Sequence, residues 1–175
     1  MTSFRVLFVC IGNVCRSPLG ERLLVQRLPS EQYAVTSAGI AAVVGAPMSP
    51  EAAVHLEAYG GSADGFVSRQ LTEAMVAESD LVLTATKEIR SRVLEESPRA
   101  MRRTFTVLEL AALLDVVEAA PDPAALVARA AEERSRAPLS DYDIPDPHRR
   151  GEAANALAAS LMADAVDRIA KGLAP

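Results

Sequence analysis

The chain's first run, Phe4-Arg-Val-Leu-Phe-Val-Cys10, is apolar and β-branched nearly throughout, as expected of a central strand buried on both faces. Leu19, Leu23, Leu24 and Leu28 then recur at helical spacing and predict a helix over 17–28. A second strand is predicted over 33–37, ending at Ala38-Gly39. Pro47 and Pro50 break the chain before a helix over 51–59, which Gly60 and Gly61 stop. The pattern continues with a helix over 71–78, a buried strand over 80–84 and a helix over 87–96, closed before Pro98. A short fourth strand over 104–107 leads into a helix over 108–114. Pro121-Asp122-Pro123 opens an Ala- and charge-rich helix to about Arg136, read as scaffold. An acidic, proline-containing loop over 138–147 precedes a closing helix over 151–170.

Strands alternating with helices predict a parallel sheet covered on both faces. Four strands in 175 residues with no repeat or clear linker predict one α/β domain over 1–175. The expected form is small, doubly wound and flavodoxin-like. In such a fold a ligand binds beyond the carboxyl ends of the strands, which is where the chain after Cys10 lies.

Half the residues are hydrophobic, yet no segment approaches the roughly 18 unbroken apolar residues of a membrane span. The N-terminus passes directly into the first strand without a signal-peptide pattern, so a soluble cytoplasmic protein is expected. A net charge of −5 without a basic stripe argues against nucleic acid and anionic membranes as partners. The two cysteines, Cys10 and Cys15, have neither zinc-knuckle nor thioredoxin-like spacing, so no metal or cofactor is expected. A monomer is expected.

The stretch Cys10-Ile11-Gly12-Asn13-Val14-Cys15-Arg16-Ser17-Pro18 has what a bound phosphate dianion needs. Residues 11–16 contain no proline and keep every backbone N–H, and Gly12 and Asn13 tolerate conformations that turn successive N–H groups inward. The helix opening near Ser17 contributes its positive end, with Pro18 suited to the first turn. Arg16 can bind two phosphate oxygens at once. The same field favours the thiolate of Cys10, a nucleophile that Ser17 can hydrogen-bond. The competing reading is a structural turn with two buried thiols. A general acid for the leaving group is available from Asp141, Asp143 or Asp146, of which Asp146 is stiffened by prolines on both sides. Asp146 could equally cap the closing helix.

The Cys10–Pro18 string resembles the signature loop of the low-molecular-weight protein tyrosine phosphatases, and Ile144-Pro145-Asp146-Pro147 resembles their Asp-Pro loop. Ser37-Ala38-Gly39, the segment 68–72 and the segment 80–83 fall where the family has similar segments, so the likeness spans nearly the whole chain. The segment 115–140 is longer than in compact members. The resemblance implies Cys10 as nucleophile, Arg16 as transition-state stabiliser and Asp146 as acid and then base, with Ser17 assisting the sulfur. Ile11, Gly12, Asn13, Val14 and Cys15 would bind the phosphoryl group. In that family the second loop cysteine can also form a disulfide with the nucleophile. The implied substrate is a phosphotyrosyl protein or a small aryl phosphate.

Several positions depart from the family pattern. Val43 and His148 stand where aromatic walls are usual, and Phe66 stands where some members have a His that supports the loop Asn. Asn13 is therefore expected to be held by Ser17 and Ser37. A branch acting on phosphoarginine carries Thr at the position of Val14, so Val14 leans toward an aryl phosphate. An arsenate reductase would need relay cysteines beyond Cys15, and a non-catalytic phosphate-binding module would not need the full catalytic set.

Overall fold

The computed structural model describes residues 3–138 and 141–174. Its centre is a four-stranded, all-parallel sheet of order β2-β1-β3-β4, built from β1 (Phe4–Cys10), β2 (Tyr33–Gly39), β3 (Leu81–Thr84) and β4 (Thr104–Thr106). The register aligns Cys10 with Gly39 and Val9 with Thr84, so the C-terminal ends of β1, β2 and β3 open on one edge. Alternation along the strands sorts side chains between two cores. Val6, Phe8, Leu81, Leu83 and Phe105 face one, and Leu7, Val9 and Val82 face the other.

The first core is roofed by α1 (Arg16–Arg27), α2 (Pro50–Ala58), α5 (Val107–Leu114), α6 (Pro123–Glu132) and α7 (Glu152–Leu173). The second is covered by α3 (Glu73–Ala77) and α4 (Lys87–Glu96), through Val76, Ile89 and Val93. This is the doubly wound, flavodoxin-like arrangement expected from the alternating pattern. Fully buried aliphatic side chains such as Leu23, Leu24, Leu56 and Leu110 each contribute roughly 1.5–3 kcal/mol of burial.

Boundaries differ from the expectation where local chemistry outweighs periodicity. Thr106 accepts from the Glu109 amide while Glu109 returns a bond to the Thr106 amide, a capping box that moves Val107 from strand to helix. Pro98, expected only to stop α4, opens a 3-10 turn over Pro98–Arg103. The scaffold helix α6 ends at Glu132, and Arg134–Arg136 form a separate 3-10 turn. Leu139 and Ser140 of the acidic loop lie outside the described residues. No helix among the described residues is long and apolar enough to cross a membrane.

Candidate active site

Helices α2 to α6 each open on a side-chain cap, from Ser49, Thr72, Thr86, Thr106 and Asp122 respectively. Helix α1 does not: Cys15 stands at its cap but its side chain makes no capping bond, and its first turn carries no acidic residue. Its leading N–H groups and positive end are thus left for a ligand, the arrangement that anions favour.

The loop between β1 and α1 is fixed from below. Cys10 Sγ lies 2.9 Å from Ser17 Oγ and accepts the Asn13 backbone N–H at 3.3 Å. Asn13 holds φ at 54°, a left-handed conformation that Asn tolerates better than most residues. Its buried side chain donates to Ser17 Oγ and Ser37 Oγ, each at 2.9 Å, and accepts the Arg69 N–H at 2.9 Å. The two serines hold Asn13 as expected, while Arg69 is an addition. Ser37 in turn donates to Glu21 at 2.6 Å. Burial pushes the Glu21 carboxyl above its ordinary value, opposed by the Ser37 bond and by Arg22 and Arg69.

Gly39 has a geometric role in this support. A Cβ there would lie 2.4 Å from the Ile11 carbonyl oxygen, so a side chain at the end of β2 would displace the loop. The absence of that side chain lets Ile40 N–H reach the Cys10 carbonyl and Ala41 N–H reach the Ile11 carbonyl, each at 3.0 Å.

Arg16 is 4% exposed although it carries a full charge. Its Nη1 donates to the Ile144 carbonyl at 2.8 Å, and its Nη2 stands 3.4 Å from Asp146 Oδ2. Asp146 Oδ1 accepts the His148 N–H at 3.2 Å, which orients a carboxylate that remains 40% exposed. Asp146 does not cap the closing helix, because Gly151 occupies that position before α7. The alternative role considered for it is thereby removed. Asp143, another candidate acid, instead accepts the Lys87 N–H at the head of α4.

Cys15 and Cys10 are both free thiols. Cys15 Sγ donates to Ser49 Oγ at 3.2 Å, and burial pushes its thiol above the ordinary value. Ile11 and Val43 are exposed beside the loop, where the Val43 N–H donates to the Gly12 carbonyl. Val14 is half-buried and, with the exposed His148, lines a groove of about 490 Å3. Phe66 is buried in the core beneath Arg22 and takes no part in holding Asn13. No cluster of side chains suited to a metal ion occurs among the described residues.

Sequence reasoning missed three supports: Arg69, Glu21 and the Ile144 carbonyl. The available signal was the segment 68–72, noted only for its family likeness. Backbone groups acting across the fold leave no residue-type signature at all.

The family model for low-molecular-weight phosphotyrosine protein phosphatase matches residues 5–124. The chain belongs to that family. The phosphatase Wzb of Salmonella typhi is 34% identical over 151 residues, covering 83% of this chain and 78% of its own length. The crystal structure of the tyrosine phosphatase AmsI of Erwinia amylovora superposes with a TM-score of 0.77 at 25% identity. That match covers 99% of this chain and 95% of AmsI. The YwlE arginine phosphatase from Geobacillus stearothermophilus superposes with a TM-score of 0.74 at 27% identity, over 96% of this chain and 91% of its own.

Proposed function

We propose that the chain hydrolyses phosphotyrosine, in a polypeptide or as a small aryl phosphate, through a phosphocysteine intermediate. Cys10 Sγ attacks phosphorus as the phenolic oxygen leaves, and Asp146 gives that oxygen its proton. Arg16 and the loop amides hold the three equatorial oxygens of the transferring group. In the second step Asp146 takes a proton from water as it attacks phosphorus, and the P–S bond breaks with Ser17 donating to the departing sulfur. Inorganic phosphate and the thiolate result, without metal or cofactor. Ile11, Gly12, Asn13, Val14 and Cys15 form the cradle, with Val43 and His148 beside it. The reading further takes the chain to be a single domain that works as a cytoplasmic monomer.

The observation that carries this reading is the placement of Arg16, which opens α1 at the end of the Cys10 loop and reaches both Ile144 and Asp146. One side chain thus couples the phosphate cradle to the carboxylate that must face it. A guanidinium has five N–H donors, so these two contacts leave capacity for phosphate oxygens. The test is turnover of an aryl phosphate in the presence of a chelator. Cys10→Ser and Arg16→Ala are each expected to reduce it to background, and full activity in the Cys10→Ser protein would overturn the reading.

Phosphoarginine is the second reading, favoured by the structural likeness to the YwlE arginine phosphatase. Phosphotyrosine and phosphoarginine peptides of matched sequence separate the two. Faster turnover of the phosphotyrosine peptide is expected.

A further inference from the structure

Glu109, in the first turn of α5, is only 4% exposed and takes no part in the Cys10 loop or its supports. A buried carboxylate is costly unless it is fully paired, so its partners define its role. Its Oε2 accepts Arg90 Nη1 at 2.7 Å and the Thr106 N–H at 3.3 Å. Its Oε1 stands 3.3 Å from Arg134 Nε. The Thr106 bond closes the capping box, a task that an uncharged Gln performs as well. The charge of Glu109 is therefore matched by two arginines, which arrive from different elements.

Both arginines belong to supports of the segment that carries Asp146. Arg90 lies one turn into α4, and the Lys87 N–H at the head of that helix is bound by Asp143. Next to Asp143, the Ile144 N–H donates to the Ala85 carbonyl at 2.9 Å. Arg134 opens the 3-10 turn Arg134–Arg136, after which the chain enters the acid loop. That turn is fastened to β4, the outermost strand of the sheet. Arg134 donates to the Thr104 carbonyl at 2.8 Å, and its guanidinium lies 4.3 Å from the centre of the Phe105 ring. Glu109 thus joins the turn that precedes the acid loop to the helix that holds Asp143.

We propose that Glu109 is a positioning residue for the general acid: by tying Arg134 to Arg90 it fixes both ends of the stretch that leads to Asp146. Glu109 touches no substrate and transfers no proton. The proposal rests on the phosphatase reading above, with Asp146 as the acid.

Glu109→Gln retains the capping box and removes the charge that the two arginines share. Its test is kcat/KM over a series of aryl phosphates whose phenols differ in pKa, because that ratio includes the step in which the phenol leaves. A loss of about tenfold is expected for poor leaving groups and about twofold or less for activated ones, as a misplaced acid predicts. Inorganic phosphate should keep its inhibition constant, since no bond of the cradle involves Glu109. Arg134→Met leaves Glu109 paired with Arg90 and an unbranched stem over Phe105. It should show the same dependence on leaving group, and it stands in if Glu109→Gln does not fold. In an Asp146→Asn background, Glu109→Gln should cost nothing further with poor leaving groups, the non-additivity expected when one residue acts through another. An equal loss across all leaving groups, or a full additional loss in the Asp146→Asn background, would overturn the proposal and leave Glu109 a role in stability alone. A wild-type protein that hydrolyses no aryl phosphate would instead overturn the phosphatase reading, and this proposal with it.

Discussion

Asp146 faces Arg16 with one oxygen and accepts the His148 amide with the other, so the carboxylate is aimed before a substrate arrives. Asp146→Asn keeps the shape and removes the transferable proton. Steady-state rates should fall about 100-fold or more for phenols of high pKa and much less for activated phenols, since general acid catalysis matters most where the leaving group is poor. An equal loss across leaving groups would move the acid elsewhere. Beneath the loop, Glu21 has a second measurable signature. Its carboxyl is raised above the ordinary glutamate value of about 4.3, so between that value and its raised one the native state binds more protons than the unfolded state. Stability should therefore decline as pH rises through that window. Glu21→Gln, which still accepts the Ser37 hydroxyl, should flatten this part of the curve of thermal midpoint against pH. Ser17 and Ser37 were legible as partners of Asn13 because small hydroxyl residues stood at the right points of the motif. Glu21 was not, since a glutamate on an amphipathic helix reads as solvated until the helix is docked.

The loop that carries Asp146 is anchored on its N-terminal side to the end of β3 and the start of α4. Ile144 is fully buried, its N–H donates to the Ala85 carbonyl at 2.9 Å, and Asp143 accepts the Lys87 N–H at 2.7 Å. A carboxylate at a helix N-terminus is also favoured by the helix dipole. Asp143→Ala should cost about 1 kcal/mol of stability in denaturant unfolding, in the range of lost helix caps. It should also lower kcat on phenolic substrates of high pKa more than on activated ones, because the acid loses its fixed approach. The closing helix was legible from its apolar repeat, and so was α1. The end of α6 was harder to read, because its Ala- and charge-rich pattern continues smoothly past Glu132 into the separate turn at Arg134–Arg136. That turn is set by tertiary contacts: Arg134 stacks over Phe105, donates to the Thr104 carbonyl and faces buried Glu109. No local pattern encodes such contacts.

At the scale of the molecule, the strand order β2-β1-β3-β4 places β1 between neighbours on both sides, and the Cys10 loop leaves from its end. The apolar runs made the parallel sheet readable from the sequence. The pairing order was not legible, because periodicity does not specify which strands are neighbours. Phosphate is expected to raise the thermal midpoint as its logarithm once it exceeds its dissociation constant, since it binds the folded cradle only. Arg16→Ala should abolish that rise, which differential scanning fluorimetry would show.

The bond from Arg16 to Ile144 spans 128 positions of the chain. Helix α7, which follows the Asp146 loop, packs over α1 and α5. Segments far apart in the chain are thus held against each other, so a substitution that loosens α7 on α1 should also loosen the approach of the Asp146 loop to the Cys10 loop.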